Sequence, residues 1–390
     1  MLKDISSVTL AFVYVNILGY VFHSVVSRSL GPAGYGEFMV FYSFLLTIGN
    51  VTVLLTTVSI KTIIENYERK YDFLRSLRLV AIVTGALVAL GVCAFSNFLK
   101  DFLNVTNYSY FFIIALAWFF MSLLAVERGF LQATGRFPIF AFSGALELTV
   151  RLIAALVAIY AGFKVGGIIF STVIGALVVL VILLKINKNI IGEKARLNIK
   201  KMLTIALYAS PTGFFLYADT IFVKRIFDEQ TAGLYSAVSI VGKVLLWFVL
   251  TILGVYFPKF VHSKKTESFK KFVLQMFGIV IISQVAAQII CFLIGEPLFL
   301  MLFGSKFEPA LKFLPIYFIS LLPLLFNMVF ISIAIALERG FHIIYAHLLF
   351  FYSGFLVLPL KNISDYLAYI FGINGIFVLL YFLNFKKELK

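Results

Sequence analysis

Apolar runs of about 20 residues recur from one end of the chain to the other, with short polar segments between them. The alternation predicts twelve helical spans, at 5–26, 38–60, 79–98, 108–126, 138–162, 165–184, 202–223, 233–257, 272–294, 313–336, 341–360 and 366–385. The polar segments 61–78, 185–201 and 258–271 are basic, and none is long enough to fold as a soluble domain. The chain therefore reads as an all-α integral membrane protein with about 12 transmembrane helices. The first run, 5–26, is too long for a signal-peptide core and is taken as a retained helix.

The pattern also repeats on a larger scale. The hexapeptide AVERGF at 125–130 returns as ALERGF at 336–341. Arg28, Gly36 and Phe38 return with the same spacing as Arg225, Gly233 and Tyr235. Two echoes in one order indicate duplication. Six spans in each half is an even number, so the halves insert in the same orientation as a parallel internal repeat. The domain reading is an N-terminal six-helix bundle at 1–184, a basic cytoplasmic linker at 185–201 and a C-terminal six-helix bundle at 202–390.

Composition agrees with the periodicity. The 390 residues are 62% hydrophobic and 13% charged, with a mean hydropathy of +1.03. The formal net charge of +15 follows the positive-inside rule and does not point to nucleic acid. With the N-terminus in the cytoplasm, 23 of the 33 Lys and Arg fall in cytoplasmic segments. Eight lie at outer loops and helix ends, and Arg151 and Lys243 remain inside spans. Both termini are therefore placed in the cytoplasm. Cys93 and Cys291 lie in apolar runs and read as core residues, not as a disulfide.

No catalytic constellation stands out, so the chain is not read as an enzyme. The four histidines have no metal-ligand spacing, and there is no Cys-x-x-Cys and no phosphate-binding loop. No metal and no cofactor are expected. Gly31, Gly34 and Gly36 read as a tight turn that Pro32 fixes.

Ionisable residues inside apolar spans carry the functional reading, because each is costly in hydrocarbon. Lys243 falls near mid-span, where it either pairs with another helix or lines a polar cavity. Arg151 follows Glu147 by four residues, either as a self-neutralising pair or as part of a cavity. Asp219 can pair with Lys243, Lys224 or Arg225. Asp219 and Glu147 are also the candidate carboxylates for coupling to H+ or Na+. Arg28, Lys224 and Arg225 sit at equivalent helix ends, as interface anchors or as a basic rim. Glu127, Arg128, Glu338 and Arg339 mark the inner ends of spans 4 and 10 and read as gate or interface residues, with no obvious ion pair between neighbours.

Several of these stretches resemble a known family. SRSLGPAGYGEF at 27–38 is similar to the opening signature of the polysaccharide-biosynthesis flippases of the multidrug/oligosaccharidyl-lipid/polysaccharide (MOP) exporter superfamily. Ala232, Gly233, Leu234 and Tyr235 agree with it, as does LFGSKF at 302–307 with Ala310. Span 2 departs from the family in ending TVSIK, without the usual glycine and arginine. The length also argues against the fourteen-helix lipid II flippases. The resemblance implies alternating-access transfer of a polyprenyl-diphosphate-linked oligosaccharide, such as an O-antigen or another lipopolysaccharide or surface-polysaccharide unit, across the cytoplasmic membrane. It implies membrane lipids, a polysaccharide polymerase and chain-length machinery as partners. Lys243, Arg151, Arg28, Arg225 and Lys224 would be the cations of an anionic substrate pathway. The rival within transport is export of drugs or other small molecules. The rival from another class is a membrane glycan polymerase or ligase, which needs a larger outer loop than 295–312 or paired catalytic carboxylates.

Overall fold

Gly31 interrupts the first helix, α1 (Leu2–Glu65), with φ 67° and ψ 178°. Only glycine reaches that region cheaply. Pro32 then opens the second leg, where a missing N–H costs nothing. The break is a single residue: Ser27–Leu30 and Pro32–Glu37, expected to be a turn, are helical. The structure, a computed structural model, describes residues 2–187, 192–200, 202, 211–263 and 268–389. Parts of the expected linker, of span 7 and of the 258–271 loop lie outside these residues.

All regular structure among the described residues is helical. After α1 come a short 3-10 turn (Tyr67–Arg69), α2 (Lys70–Ala94), α3 (Ser96–Leu103), α4 (Tyr110–Ala133), α5 (Phe137–Tyr160) and α6 (Val165–Ile186). They are followed by α7 (Pro211–Phe215), α8 (Ala218–Ile226), α9 (Glu229–Ser263) and α10 (Ser268–Phe303). A 3-10 stretch (Ser305–Phe313) leads into α11 (Leu314–Leu337), α12 (Phe341–Val357) and α13 (Ile363–Leu389). Nine helical stretches among the described residues have the length and hydropathy to cross a bilayer, and the first of them contains the Gly31 break. The chain is a multi-pass membrane protein.

Several expected loops are helical instead. The basic segment 61–78 is helix on both sides of the Tyr67–Arg69 turn, and 295–312 is helical as far as Phe303. Charged residues mislead here because a helix can run past the apolar core of a membrane with its polar turns in the headgroup region. Cys93 and Cys291 are half-buried free thiols.

The chain forms two compact units, Met1–Gly213 and Phe214–Lys390. In the first, α4 packs against α1, α2 and α6, and α5 packs against α1 and α6. Trp118 and Phe130 of α4 are fully buried. In the second unit α11 is central, against α9, α10 and α13. The units share more than helix order. Arg28 and Arg225 stand 197 positions apart, and so do Pro32 and Glu229, the first residues after each break. At the second break Phe227 is extended, with φ −115° and ψ 166°. The internal repeat thus survives in the backbone as a one-turn register of helix, break and helix.

The hexapeptide echo does not survive in this way. Expected at a helix end, Glu127 lies inside α4, six residues before its last, and is 1% exposed. Its counterpart Glu338 caps α11 in a left-handed conformation and is exposed. A Cβ on Gly129 would stand 2.7 Å from Ser59 Cβ, so that glycine lets two helices approach closely. Gly340 has φ 81° and starts α12 instead. The same letters serve two different local structures.

Candidate functional site

Among the described residues, each unit holds a buried cluster of ionisable side chains in its apolar spans. In the first, α5 supplies Glu147 and Arg151 one helical turn apart, and α4 supplies Arg128. Arg151 Nη2 donates to Glu147 Oε1 at 2.7 Å, and Arg128 Nη2 approaches Oε2 at 2.9 Å. Arg128 is held further by Ser143, through Nε to Oγ and Nη2 to the carbonyl, both at 3.0 Å. Arg151 Nη1 reaches toward Tyr42 of α1 at 3.5 Å. Arg151 Nε is buried without a hydrogen-bond partner among the described residues. Two guanidiniums on one carboxylate leave one net positive charge. Arg128 and Glu147 also line a cavity of about 200 Å³, with Thr52, Thr56 and Met121.

Nearby, Glu127 has its own partners. Arg78 grips it with two bonds, Nε to Oε1 at 2.6 Å and Nη2 to Oε2 at 3.0 Å. Asn187 Nδ2 donates to Oε2 at 2.9 Å. Adjacent Glu127 and Arg128 therefore belong to two separate ion pairs. Sequence reading missed Arg78 because it placed 61–78 in a loop.

In the second unit, span 7 is interrupted by a turn at Leu216 and Tyr217, and Asp219 opens the helix after it. Lys243 Nζ donates to Asp219 Oδ1 and to Thr220 Oγ1, both at 2.9 Å. Oδ2 accepts from Ser239 at 3.0 Å, Tyr317 at 3.0 Å and Tyr235 at 3.1 Å. Tyr366 donates to the Asp219 carbonyl at 2.5 Å. Asp219 is 6% exposed and Lys243 4%. Burying both charges is affordable only because each has close, hydrogen-bonded partners. The sequence did carry a signal for the supporting residues. Tyr235, Ser239 and Lys243 recur every four residues and so share one face of an apolar helix.

The remaining candidates lie apart from these clusters. Lys224, expected at a rim or as an anchor, is 2% exposed, with Nζ 3.4 Å from Glu229 Oε1. Arg225 is half-buried in the last turn of α8, and Arg28 is exposed just before the α1 break. Arg339 is exposed, donates to the Asn384 carbonyl at 3.0 Å and lies over the Phe385 ring. Gln284 and Gln288 of α10 bond carbonyls at the start of α11, as interhelical glue. Asp228, between α8 and α9, takes the amides of Gln230 and Thr231 on Oδ1 and the Thr231 hydroxyl on Oδ2. These bonds hold its carboxyl below the usual carboxylate range.

The fold is that of the MOP-superfamily transporters. An inward-facing MATE-family multidrug resistance transporter of that superfamily is similar with a TM-score of 0.81, 12% identity, and coverage of 95% of this chain and 94% of its own. A Vibrio cholerae MATE transporter is similar at 0.66 and 16% identity, over 99% and 96%. A MOP-superfamily transporter from Pyrococcus furiosus, described as having a binding pocket of reverse polarity, is similar at 0.66 and 13%, over 99% and 95%. The sequence matches the family described as Polysaccharide biosynthesis protein over residues 1–264, and the chain belongs to that family. It stands with membrane transporters, not with enzymes. No curated protein matches it.

Proposed function

We propose that this protein is a flippase that carries a polyprenyl-diphosphate-linked oligosaccharide across the cytoplasmic membrane by alternating access. Family membership supports the polysaccharide part of this reading. The Arg128–Glu147–Arg151 cluster supports the anionic cargo, and it is the observation that carries the proposal. Its excess positive charge borders a cavity of about 200 Å³ within the first unit. Guanidiniums in a low-dielectric setting suit a diphosphate, which offers acceptors in their fork geometry. The lipid tail can remain in the bilayer while the head group passes. Both termini lie in the cytoplasm on this reading, and the cargo is handed to a polymerase and chain-length machinery outside. O-antigen units are one cargo of the right chemistry.

The test is the leaflet location of lipid-linked glycans in the native host. Depleting the protein should leave them on the cytoplasmic face. Wild-type chain should restore them, and Arg128→Gln should restore them poorly. An unchanged distribution on depletion, in a host without a second flippase, would overturn the proposal and leave export of small molecules as the reading.

A further inference from the structure

Asp219 and Glu147 are the two carboxylates that a coupling cation could use, and the surroundings of Asp219 do not fit one. An ionised carboxylate offers about four lone-pair positions. Here five donors share them: Lys243 and Thr220 on Oδ1, and Ser239, Tyr235 and Tyr317 on Oδ2. The position a monovalent cation would take holds the Lys243 ammonium, bonded to Asp219 and Thr220 and lying 5.2 Å from the Tyr217 ring centroid. The adjoining cavity, lined by Asp219, Lys243 and Tyr317 among apolar groups, is about 10 Å³. That is the space of one water at most.

The repeat supplies an independent observation. At the offset of 197, Asp219, Tyr235, Ser239 and Lys243 correspond to Phe22, Phe38, Tyr42 and Leu46. Phe22, Phe38 and Tyr42 also pack on one another, with ring centroids 5.4 to 6.5 Å apart. One position in the fold is thus filled either by an aromatic cluster without an acid and ammonium of its own, beside His23 and Arg151, or by an acid and its ammonium together. The lysine is present where the carboxylate is, and both are gone where it is not.

We propose that Lys243 is a tethered counter-cation that takes, within this chain, the place a diffusible alkali cation would take at Asp219. The second unit then keeps its buried carboxylate neutralised without taking up Na+. The lysine also covers a set of oxygens suited to a hard cation, Asp219 Oδ1 and Thr220 Oγ1, while the Ser239, Tyr235 and Tyr317 hydroxyls hold Oδ2. Removing the ammonium uncovers that set.

The test uses the purified full-length protein in detergent, and its outcome is independent of the cargo. The unfolding midpoint of the wild type should be equal in NaCl and in choline chloride at matched ionic strength. Lys243→Met should unfold several degrees lower in choline chloride and recover part of the loss as NaCl rises, by binding linkage. Lys243→Arg should keep the cation and show no Na+ dependence, and Asp219→Asn with Lys243→Met should show none either. Saturable 22Na+ binding to the wild type that Asp219→Asn abolishes would overturn the proposal, and this measurement stands even if Lys243→Met does not fold. A folded Lys243→Met protein with no response to Na+ would overturn the uncovered site. Failure of the leaflet experiment, by contrast, would leave these results untouched.

Discussion

Lys243 Nζ lies 2.9 Å from Asp219 Oδ1, and the two side chains are only 5% and 9% exposed. Removing either partner leaves a buried charge without its counter-ion, which costs about 3–5 kcal/mol. Lys243→Met and Asp219→Asn should each destabilise the protein on that scale, and the double variant by clearly less than their sum. Unfolding of the four proteins in one double-mutant cycle checks this. Additive losses would mean that the two groups are not energetically coupled.

Glu147 sits between two guanidiniums, so its removal differs from removal of either arginine. Glu147→Gln leaves Arg128 and Arg151 facing one another and should cost about 3–5 kcal/mol. Arg128→Gln leaves the Glu147–Arg151 pair intact, and Arg128 is 21% exposed, so the loss should be nearer about 1 kcal/mol. Stability of both variants by unfolding, read beside the leaflet assay, separates a structural loss from a transport loss. Arg128→Gln should impair transport far more than stability.

Gly31 occupies a backbone region that a side chain reaches only at a cost of about 1–3 kcal/mol. No neighbouring atom would meet a Cβ there, so the cost is conformational and not steric. Gly31→Ala should lower stability by that amount or straighten the joint between the legs of α1. A variant with unchanged unfolding and unchanged activity would show that the break can move to a neighbouring residue.

Asp228 caps α9, and replacing such a cap by alanine costs about 0.5–2 kcal/mol. Its carboxyl is held below the ordinary range by Thr231. The folded form therefore favours the ionised state. The ionic contribution is fully present above the ordinary carboxylate pKa of about 4 and fades as pH falls through the lower folded value. The stability gap between wild type and Asp228→Ala should be constant from neutral pH to about pH 5 and shrink in stronger acid. A gap that widens in acid would contradict the capping role.

The sequence alone determined the membrane class and the all-helical architecture, and it carried the 197-residue offset that the two backbone breaks share, because hydropathy and spacing are properties of the chain read in order. The break at Gly31 was visible for the same reason: glycine followed by proline limits the backbone locally whatever packs around it. Most of the charged candidates could also be picked out, since an ionisable residue in an apolar run is conspicuous. Two pairings, Glu147 with Arg151 and Asp219 with Lys243, were among those that the sequence offered, and the longer-range partners were not. Asp219 meets Tyr317 across 98 positions, and Arg78 meets Glu127 across 49. Such pairings depend on which helix faces which, and that follows from side-chain packing summed over whole helices. The two ERGF motifs make the same point. Identical letters place Glu127 inside a helix and Glu338 in a left-handed cap, since α4 has a neighbour, Arg78, to neutralise a buried carboxylate and α11 ends before it needs one. Tertiary structure decided whether each charge would be buried and paired or left in solvent, because only a partner within hydrogen-bonding distance can offset the cost of leaving water.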